Sequence, residues 1–372
     1  MNKSVVIIDP VGAKAGMDFY DLLLLRALSD KGFKTFLLSN ISVDDSRVTV
    51  KNIFKNANIT GLPSAVRIFI GTIRSFFFLK KQKTKWIILH IFRGDFIELS
   101  LSFIAKLIGF KVLLIIHDIE SLDTKKSSVT GKFVLEKFHD IKVVHNHFSM
   151  DELKKIISPA AGMNIHTIRH GNFIDLVHKE SNHKKAYKHF NIDPTEKYLL
   201  FFGQIKKVKG LDLLINAFSK SKIDFHLIIA GKLRNDNWER YQRIIDEQQL
   251  QSRVVTFIRH ITDEEREMLF RIAHTLILPY RLIYQSGVLL MAMSFGKAVV
   301  ASDLPPFKEI IQHGQNGFLF ENNNLSDLIR VMDEICSGKF NLEKIGQNAK
   351  QFVLENYSWD KIADEYAQLL NK

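Results

Sequence analysis

Residues 198–210, Tyr198-Leu-Leu-Phe-Phe-Gly-Gln-Ile-Lys-Lys-Val-Lys-Gly210, and residues 275–287, Thr275-Leu-Ile-Leu-Pro-Tyr-Arg-Leu-Ile-Tyr-Gln-Ser-Gly287, decide the fold. Each begins as a short apolar run of strand length and passes through a polar loop. Each then enters a helical pattern, Leu211–Phe218 after the first and an apolar helix closed by Gly296 after the second. A loop that leaves the carboxyl end of a strand and enters a helix N-terminus faces its ligand with unpaired N–H groups and the positive end of the helix dipole. In open α/β sheets such loops line the ligand crevice. Two of them, one with Lys206, Lys207 and Lys209, fit a phosphate-bearing substrate better than a lone ion.

The same alternation of strand and helix runs outward in both directions, as in parallel α/β sheets. The first half predicts strands near 4–9, 34–39, 86–91, 111–117, 141–145 and 164–168. Between them, helices are expected over Asp18–Asp30, Ser64–Lys81, Phe96–Ile108 and Met150–Ile157. From His178 to Lys197 the chain turns polar and lysine-rich and reads as a junction. Two helical segments follow Asn341, the last around Trp359–Leu370. A chain of 372 residues exceeds one ordinary core. We expect an α/β architecture of two Rossmann-like domains facing each other across a cleft, with domains 1–180 and 181–357 and a terminal helix over 358–372.

Apolar residues make up 46% and charged residues 25%, the composition of a soluble folded chain. The single cysteine excludes an intrachain disulfide and fits a reducing cytoplasm. The start, Met1-Asn-Lys-Ser-Val-Val-Ile-Ile-Asp9, is too short and too soon polar for a signal peptide. No apolar run reaches the ~20 residues of a spanning helix. The net charge of +12 is uneven: residues 1–180 hold 26 Lys and Arg against 17 Asp and Glu, the remainder 26 against 23. A basic half matches an acidic partner or simply solubility. Nucleic acid is disfavoured, because the 29 phenylalanines lie mostly in core-like runs rather than interleaved with basic residues.

An ordered series of motifs resembles the donor half of GT-B glycosyltransferases, nearest the retaining family 4 (glycosyl transferases group 1). It comprises Gly203-Gln-Ile-Lys-Lys-Val-Lys-Gly-Leu-Asp212, Ile229-Ala-Gly-Lys232, Leu278-Pro-Tyr-Arg281, Gln285-Ser-Gly-Val-Leu289 and Ala292-Met-Ser-Phe-Gly-Lys-Ala-Val-Val-Ala-Ser-Asp303. Glu309-Ile-Ile311, Gly314-Gln-Asn-Gly-Phe-Leu319 and Tyr357-Ser-Trp-Asp360 extend it. The resemblance is strong over 198–372. Over 1–197 it rests on Leu113–Asp118, His170-Gly171-Asn172 and the order of elements.

The resemblance implies transfer of a sugar from a UDP- or GDP-sugar donor to a glycan, lipid-linked, in bacterial surface polysaccharide or lipopolysaccharide synthesis. It also implies that the terminal helix crosses back onto the first domain. Lys209 matches the family's phosphate-binding lysine; Gln204 stands where the family has arginine, and Lys206 or Lys207 can supply that charge. Ser286 and Gly287 would grip the distal phosphate, and Gly231, Ile261 in the Arg259–Thr262 segment, and Glu309 would lie near the nucleotide or sugar. Two family glutamates are replaced by Ile283 and Met291, with Tyr284 and Gln285 left to take over part of their work. The chain therefore keeps open an inverting transferase on the same fold, or a non-enzymatic nucleotide-sugar-binding protein.

In the first half, His117 ends an apolar strand and is the catalytic candidate; it matches a family histidine in a Leu/Thr-Ile-His-Asp context. Gly16 in the loop Val11–Met17 would approach the transferred sugar, and Asp18, Arg93 and Asp95 would stand on the acceptor side. No metal or other cofactor is expected, because the chain has no Asp-x-Asp motif, and His145 and His147 read as surface residues. Residues 64–85 form a basic amphipathic helix with Arg67, Arg74 and Lys81 at heptad spacing, beside Val66, Phe69, Ile70, Ile73, Phe76 and Phe77. Such a helix suits an anionic leaflet, giving a cytoplasmic protein peripheral to the inner face of the membrane.

Overall fold

Our computed structural model describes residues 3–10, 12, 17–54, 62–92, 96–119, 129–177 and 183–372. Gly16, Arg93 and Asp95 lie outside the described residues. The chain forms two compact units, Met1–Gly171 with Tyr357–Lys372, and Asn172–Asn356.

The first unit runs β1 (Ser4–Asp9), α1 (Asp18–Asp30), β2 (Lys34–Ser39), β3 (Val48–Asn52), α2 (Leu62–Lys81), β4 (Trp86–Ile91) and α3 (Phe96–Leu107). It continues through β5 (Lys111–Ile116), α4 (Val129–Glu136), β6 (Ile141–Val144), α5 (His147–Ile156) and β7 (Ile165–Thr167). Seven parallel strands lie in the order β3-β2-β1-β4-β5-β6-β7. The runs Val5–Ile8, Ile87–Leu89 and Val112–Ile116 are buried along their whole length, as expected for a parallel sheet covered on both faces.

The second unit runs α6 (His183–Phe190), β8 (Tyr198–Phe202), α7 (Leu211–Lys220), β9 (His226–Ala230), α8 (Glu239–Glu247), β10 (Val254–Phe257), α9 (Asp263–Ile272) and β11 (Thr275–Leu278). Then come α10 (Gly287–Ser294), β12 (Ala298–Ser302), α11 (Pro305–Lys308), β13 (Phe318–Phe320), α12 (Leu325–Cys336) and α13 (Leu342–Asn356). Its six parallel strands are ordered β10-β9-β8-β11-β12-β13.

The last helix, α14 (Trp359–Leu370), belongs to the first unit. Ser358 caps it by accepting from the Lys361 N–H. Trp359, Ile362, Ala363, Tyr366, Leu369 and Leu370 join α1 residues in one core cluster with Val5, Ile7, Ile88 and Leu113. The Trp86 Nε1–H donates to the Leu370 carbonyl at 2.8 Å, and the buried hydroxyls of Tyr20 and Tyr366 meet at 3.1 Å.

Three elements escape the sequence pattern. β3 is an edge strand with mostly exposed side chains, so it lacks an apolar run. α4 is short, and α6 forms inside the polar junction, where only Ala186 and Phe190 are buried. Phe76, expected on the exposed face of α2, instead turns inward and stacks on Phe110.

Replacing Trp359 by alanine removes a large anchor from this core and is expected to cost about 3–5 kcal/mol. Amide exchange should show lost protection in β1 and β4 while β8 and β11 keep theirs.

Candidate functional site

In the second unit, the strand order reverses between β8 and β11. Connections that leave two adjacent parallel strands toward opposite sides open a crevice at their carboxyl ends. The two loops quoted first, 203–210 and 279–286, are the ones that leave those strands.

Their backbones approach closely at two glycines. Gly210 has φ +66°, and a Cβ there would meet the Pro279 carbonyl oxygen at 1.9 Å. Gly231, at φ +151°, would place a Cβ 1.8 Å from the Gly203 carbonyl oxygen. Only glycine fits either place.

Side chains then lock the loops together. Arg281 donates to both Asp212 oxygens at 2.8 and 2.9 Å and to the Lys207 carbonyl at 2.9 Å, while the Arg281 N–H bonds Val208. This forked pairing holds the Asp212 carboxyl below its usual range, against the opposing effect of burial. The sequence offered both residues inside its motifs, but not their partnership.

Lys209 lies with Nζ 3.6 Å from the ring centre of the buried Tyr280, and the Tyr280 phenol is hydrogen-bonded to Ser286. Lys209 and Ser286 thus meet through one tyrosine. Ser286 caps α10 by accepting from the Leu289 N–H. Gly287 follows as the first residue of the helix, where a Cβ would touch nothing nearer than Phe173 at 3.8 Å.

Gln204 is exposed and Lys206 half-buried in the same loop. Beside it a depression of about 640 Å³ is lined by Lys207, Asn235, Asp236, Asn237 and Arg240. Gly231 packs against Gly203, and Ile261 is buried beyond β10. Arg259 is committed to Glu265 at 2.6 and 2.8 Å, and Glu265 also closes a capping box with Thr262. Glu309 is exposed at the end of α11. Tyr284 is buried beside a buried Ile283, so no carboxylate occupies that place.

The first unit holds a feature that the sequence reading only partly anticipates. His90 on β4 and His117, His145 and His170, just beyond β5, β6 and β7, lie at the carboxyl ends of four successive strands. All four are buried. Tyr20 of α1 touches each ring, with centroids 4.8–5.7 Å away. His145 is therefore a core residue and not the surface residue expected, whereas His147 is exposed.

His90 Nε2 lies 2.7 Å from Asp21 Oδ1, and His90 Nδ1 lies 2.8 Å from His117 Nε2. His117 stacks on Phe92 at 4.7 Å. His145 Nδ1–H donates to the Ile168 carbonyl at 3.0 Å, and His170 Nδ1–H to Gly171 at 2.7 Å. Burial pushes His90 and His170 down to about 4 and His145 to about 3, and drives His117 well down, so all four are neutral at pH 7. Burial raises the Asp21 carboxyl well above its usual range. Asp18 opens α1 in its first turn, one residue after the N-cap Met17. Among the described residues, no group of three or more histidine, cysteine and carboxylate side chains is arranged to hold a metal ion.

With this geometry in hand, residues 182–352 match the family model described as Glycosyl transferases group 1. The second unit carries that match over most of its length, and the chain is a glycosyltransferase. This family of transferase enzymes accounts for the ordered motif series in the second unit. An uncharacterized glycosyltransferase of Methanocaldococcus jannaschii is 25% identical over 319 residues, which cover 82% of this chain and 73% of that one. The O-antigen chain mannosyltransferase C of Escherichia coli is 22% identical over 52% of this chain and 51% of its own length. The solved structure of Anabaena HepE in complex with UDP-glucose superposes with a TM-score of 0.76 at 16% identity, covering 99% of each chain. The fold of this glycosyltransferase is thus GT-B, two parallel-sheet α/β domains.

The histidine row also sets an acid limit. A histidine whose pKa is depressed by folding contributes stability that is complete above its unfolded value near 6.5 and is lost as pH falls through the folded value. His90, His145 and His170 act in that sense between about pH 6.5 and 3, while Asp21, raised by folding, opposes them by one proton. Unfolding free energy should therefore fall with acidification in that window. Denaturant titrations of His145→Gln should show a slope shallower by about 1.4 kcal/mol per pH unit, one proton's worth.

Proposed function

We propose that this glycosyltransferase moves a sugar from a UDP- or GDP-sugar to a glycan, lipid-linked, in bacterial surface polysaccharide or lipopolysaccharide synthesis, with retention at the anomeric carbon. The observation that carries the reading is the assembly of Lys209, Tyr280, Ser286 and the α10 N-terminus at the switch point of the second unit. Cleaving the bond between the anomeric carbon and the diphosphate leaves growing negative charge on the leaving oxygens. Charge placed beforehand is the largest help a protein can give to such a step. Lys209 supplies a full cation, Ser286 a hydroxyl, and the first turn of α10 its N–H groups and dipole. No metal is required for that task in this reading. The UDP-glucose held by Anabaena HepE supports a nucleotide sugar as donor, and the O-antigen activity named for the Escherichia coli relative supports a surface glycan as acceptor.

In the first unit, His117 is the residue we assign to the sugar, as a neutral hydrogen-bonding group. Asp18 is assigned to the acceptor side. The same unit presents an apolar surface for a lipid acceptor. On α2, Val66, Phe69, Ile70, Ile73 and Phe77 are exposed beside Arg67, Arg74, Lys80 and Lys81. Phe103 and Leu107 of α3 and Phe133 of α4 are exposed as well. No described helix is long and apolar enough to cross a membrane. Shallow docking on an anionic leaflet combines this apolar area with the flanking cations.

Ligand-induced stabilisation tests the donor site. UDP or GDP, with chelator present, should raise the melting temperature in proportion to ln(1 + [L]/Kd). Lys209→Ala should abolish most of that shift while leaving the unliganded melting temperature within a few degrees. A panel of nucleoside diphosphates that shifts neither protein sinks the reading.

Vesicle sedimentation tests the docking surface. The protein should pellet with phosphatidylglycerol vesicles at low salt and release near 1 M salt. Phe69→Asp with Phe77→Asp should stay in the supernatant.

A further inference from the structure

We propose that Asp21 and His90 are positioning residues for His117: a hydrogen-bond wire from the Asp21 carboxyl through the His90 ring fixes His117 with Nε2 as acceptor and Nδ1–H as the donor offered to a sugar hydroxyl. The inference rests on the assignment of His117 to the sugar and names how that residue is set.

The geometry provides the wire. Asp21 Oδ1, both nitrogens of His90 and Nε2 of His117 are linked by separations of 2.7 and 2.8 Å, and all three side chains are buried. A neutral imidazole carries one ring proton, so each link must have one donor and one acceptor, and the direction of the first link dictates the second. If Asp21 accepts, His90 donates from Nε2, takes a bond at Nδ1, and forces His117 to spend its proton at Nε2. If Asp21 donates, the order reverses, and His117 keeps its proton at Nδ1.

The balance of effects on Asp21 selects the second direction. Burial raises the Asp21 carboxyl well above its usual range, helped by the negative charge of Asp18, which favours its donating form. Asp9, at the end of β1, pulls the Asp21 carboxyl the other way, an effect smaller than that of burial. His145 and His170 donate from Nδ1 to backbone carbonyls, the same tautomer that this direction gives His90 and His117. Among the described residues, no full cation faces His90 or His117. Facing them are Asp9 from β1, Asp18, Tyr20 and Asp21 from α1, His145 and His170 beyond β6 and β7, and Tyr366 from α14 near Tyr20.

The chemical consequence is selective. A donor at Nδ1 bonds a hydroxyl oxygen or the sugar ring oxygen without abstracting a proton, as an electrophilic contact rather than a base. It also spares the site a cation that would repel an oxocarbenium-like sugar.

Long-range nitrogen–proton NMR on the full chain with labelled histidines tests this directly, with His117 assigned by its loss in His117→Gln. In the wild type and in Asp21→Asn, whose amide still donates, His117 should be protonated at Nδ1. In Asp21→Leu it should shift to Nε2. With UDP-glucose and GDP-mannose as donor probes, Asp21→Leu should lower kcat on the order of 100-fold with little change in KM, and Asp21→Asn should restore most of it. Protonation at Nε2 in the wild type overturns the proposal whatever the variants do, including a leucine variant that does not fold. The spectra need no substrate, so the predicted tautomers without turnover of any sugar nucleotide would reject the functional reading and leave the wire standing.

Discussion

The close approach of backbones at the switch point between β8 and β11 is the constraint on which the second unit depends. Two loops must leave adjacent strands, turn apart and still present donors to one volume. Side chains at Gly210 or Gly231 would occupy backbone atoms of the neighbouring segment, so the sequence gives up side chains there. Arg281 then ties the loops from the outside through Asp212, and Tyr280 ties them from the inside by supporting Lys209 and bonding Ser286. The loops are polar and irregular, but their spacing is set by covalent geometry and a forked ion pair rather than by loose packing. A site fixed in this way loses little entropy when a ligand arrives.

The first unit solves a different problem. Four imidazoles at the ends of β4 to β7 are expensive to desolvate, and the unit keeps them neutral rather than pairing each with a charge. Tyr20 borders every ring, and Trp359 borders both Tyr20 and His170. The polar row is consequently supported by α1 and by a helix from the far end of the chain. These buried neutral rings contribute directly to stability, which is why acid should be felt here before it is felt in the surface ion pairs.

Much of this was legible in the sequence because parallel strands buried on both faces leave continuous apolar runs, and because the two loops at the switch point carry glycine, lysine and serine at fixed offsets. β3 was not, since an exposed edge strand has no such run. The orientation of Phe76 was not, because a helix with apolar residues on most of its surface does not declare which side is inward. The histidine row was partly visible: Ile88-Leu-His90, Ile115-Ile-His117, Val143-Val-His145 and Ile168-Arg-His170 each stand at or just past the carboxyl end of a strand, a signal that appears only when the four are compared. Partnerships such as Arg281 with Asp212 or Asp21 with His90 stayed hidden, because they join residues 69 apart in each case and depend on how the strands are ordered.

The placement of α14 bears on how the chain is made. The second unit is continuous, Asn172–Asn356, and can close as soon as it has emerged. The first unit lacks one wall of its core until residues 357–372 follow, with Tyr20, Leu24 and Leu28 waiting for Trp359, Tyr366 and Leu370. At ribosomal speeds of about 5–20 residues per second, that wait lasts roughly ten to forty seconds. During it an apolar strip of α1 stands open to water, a natural binding target for a chaperone. Of the two units, the one translated earlier is thus the later to become complete.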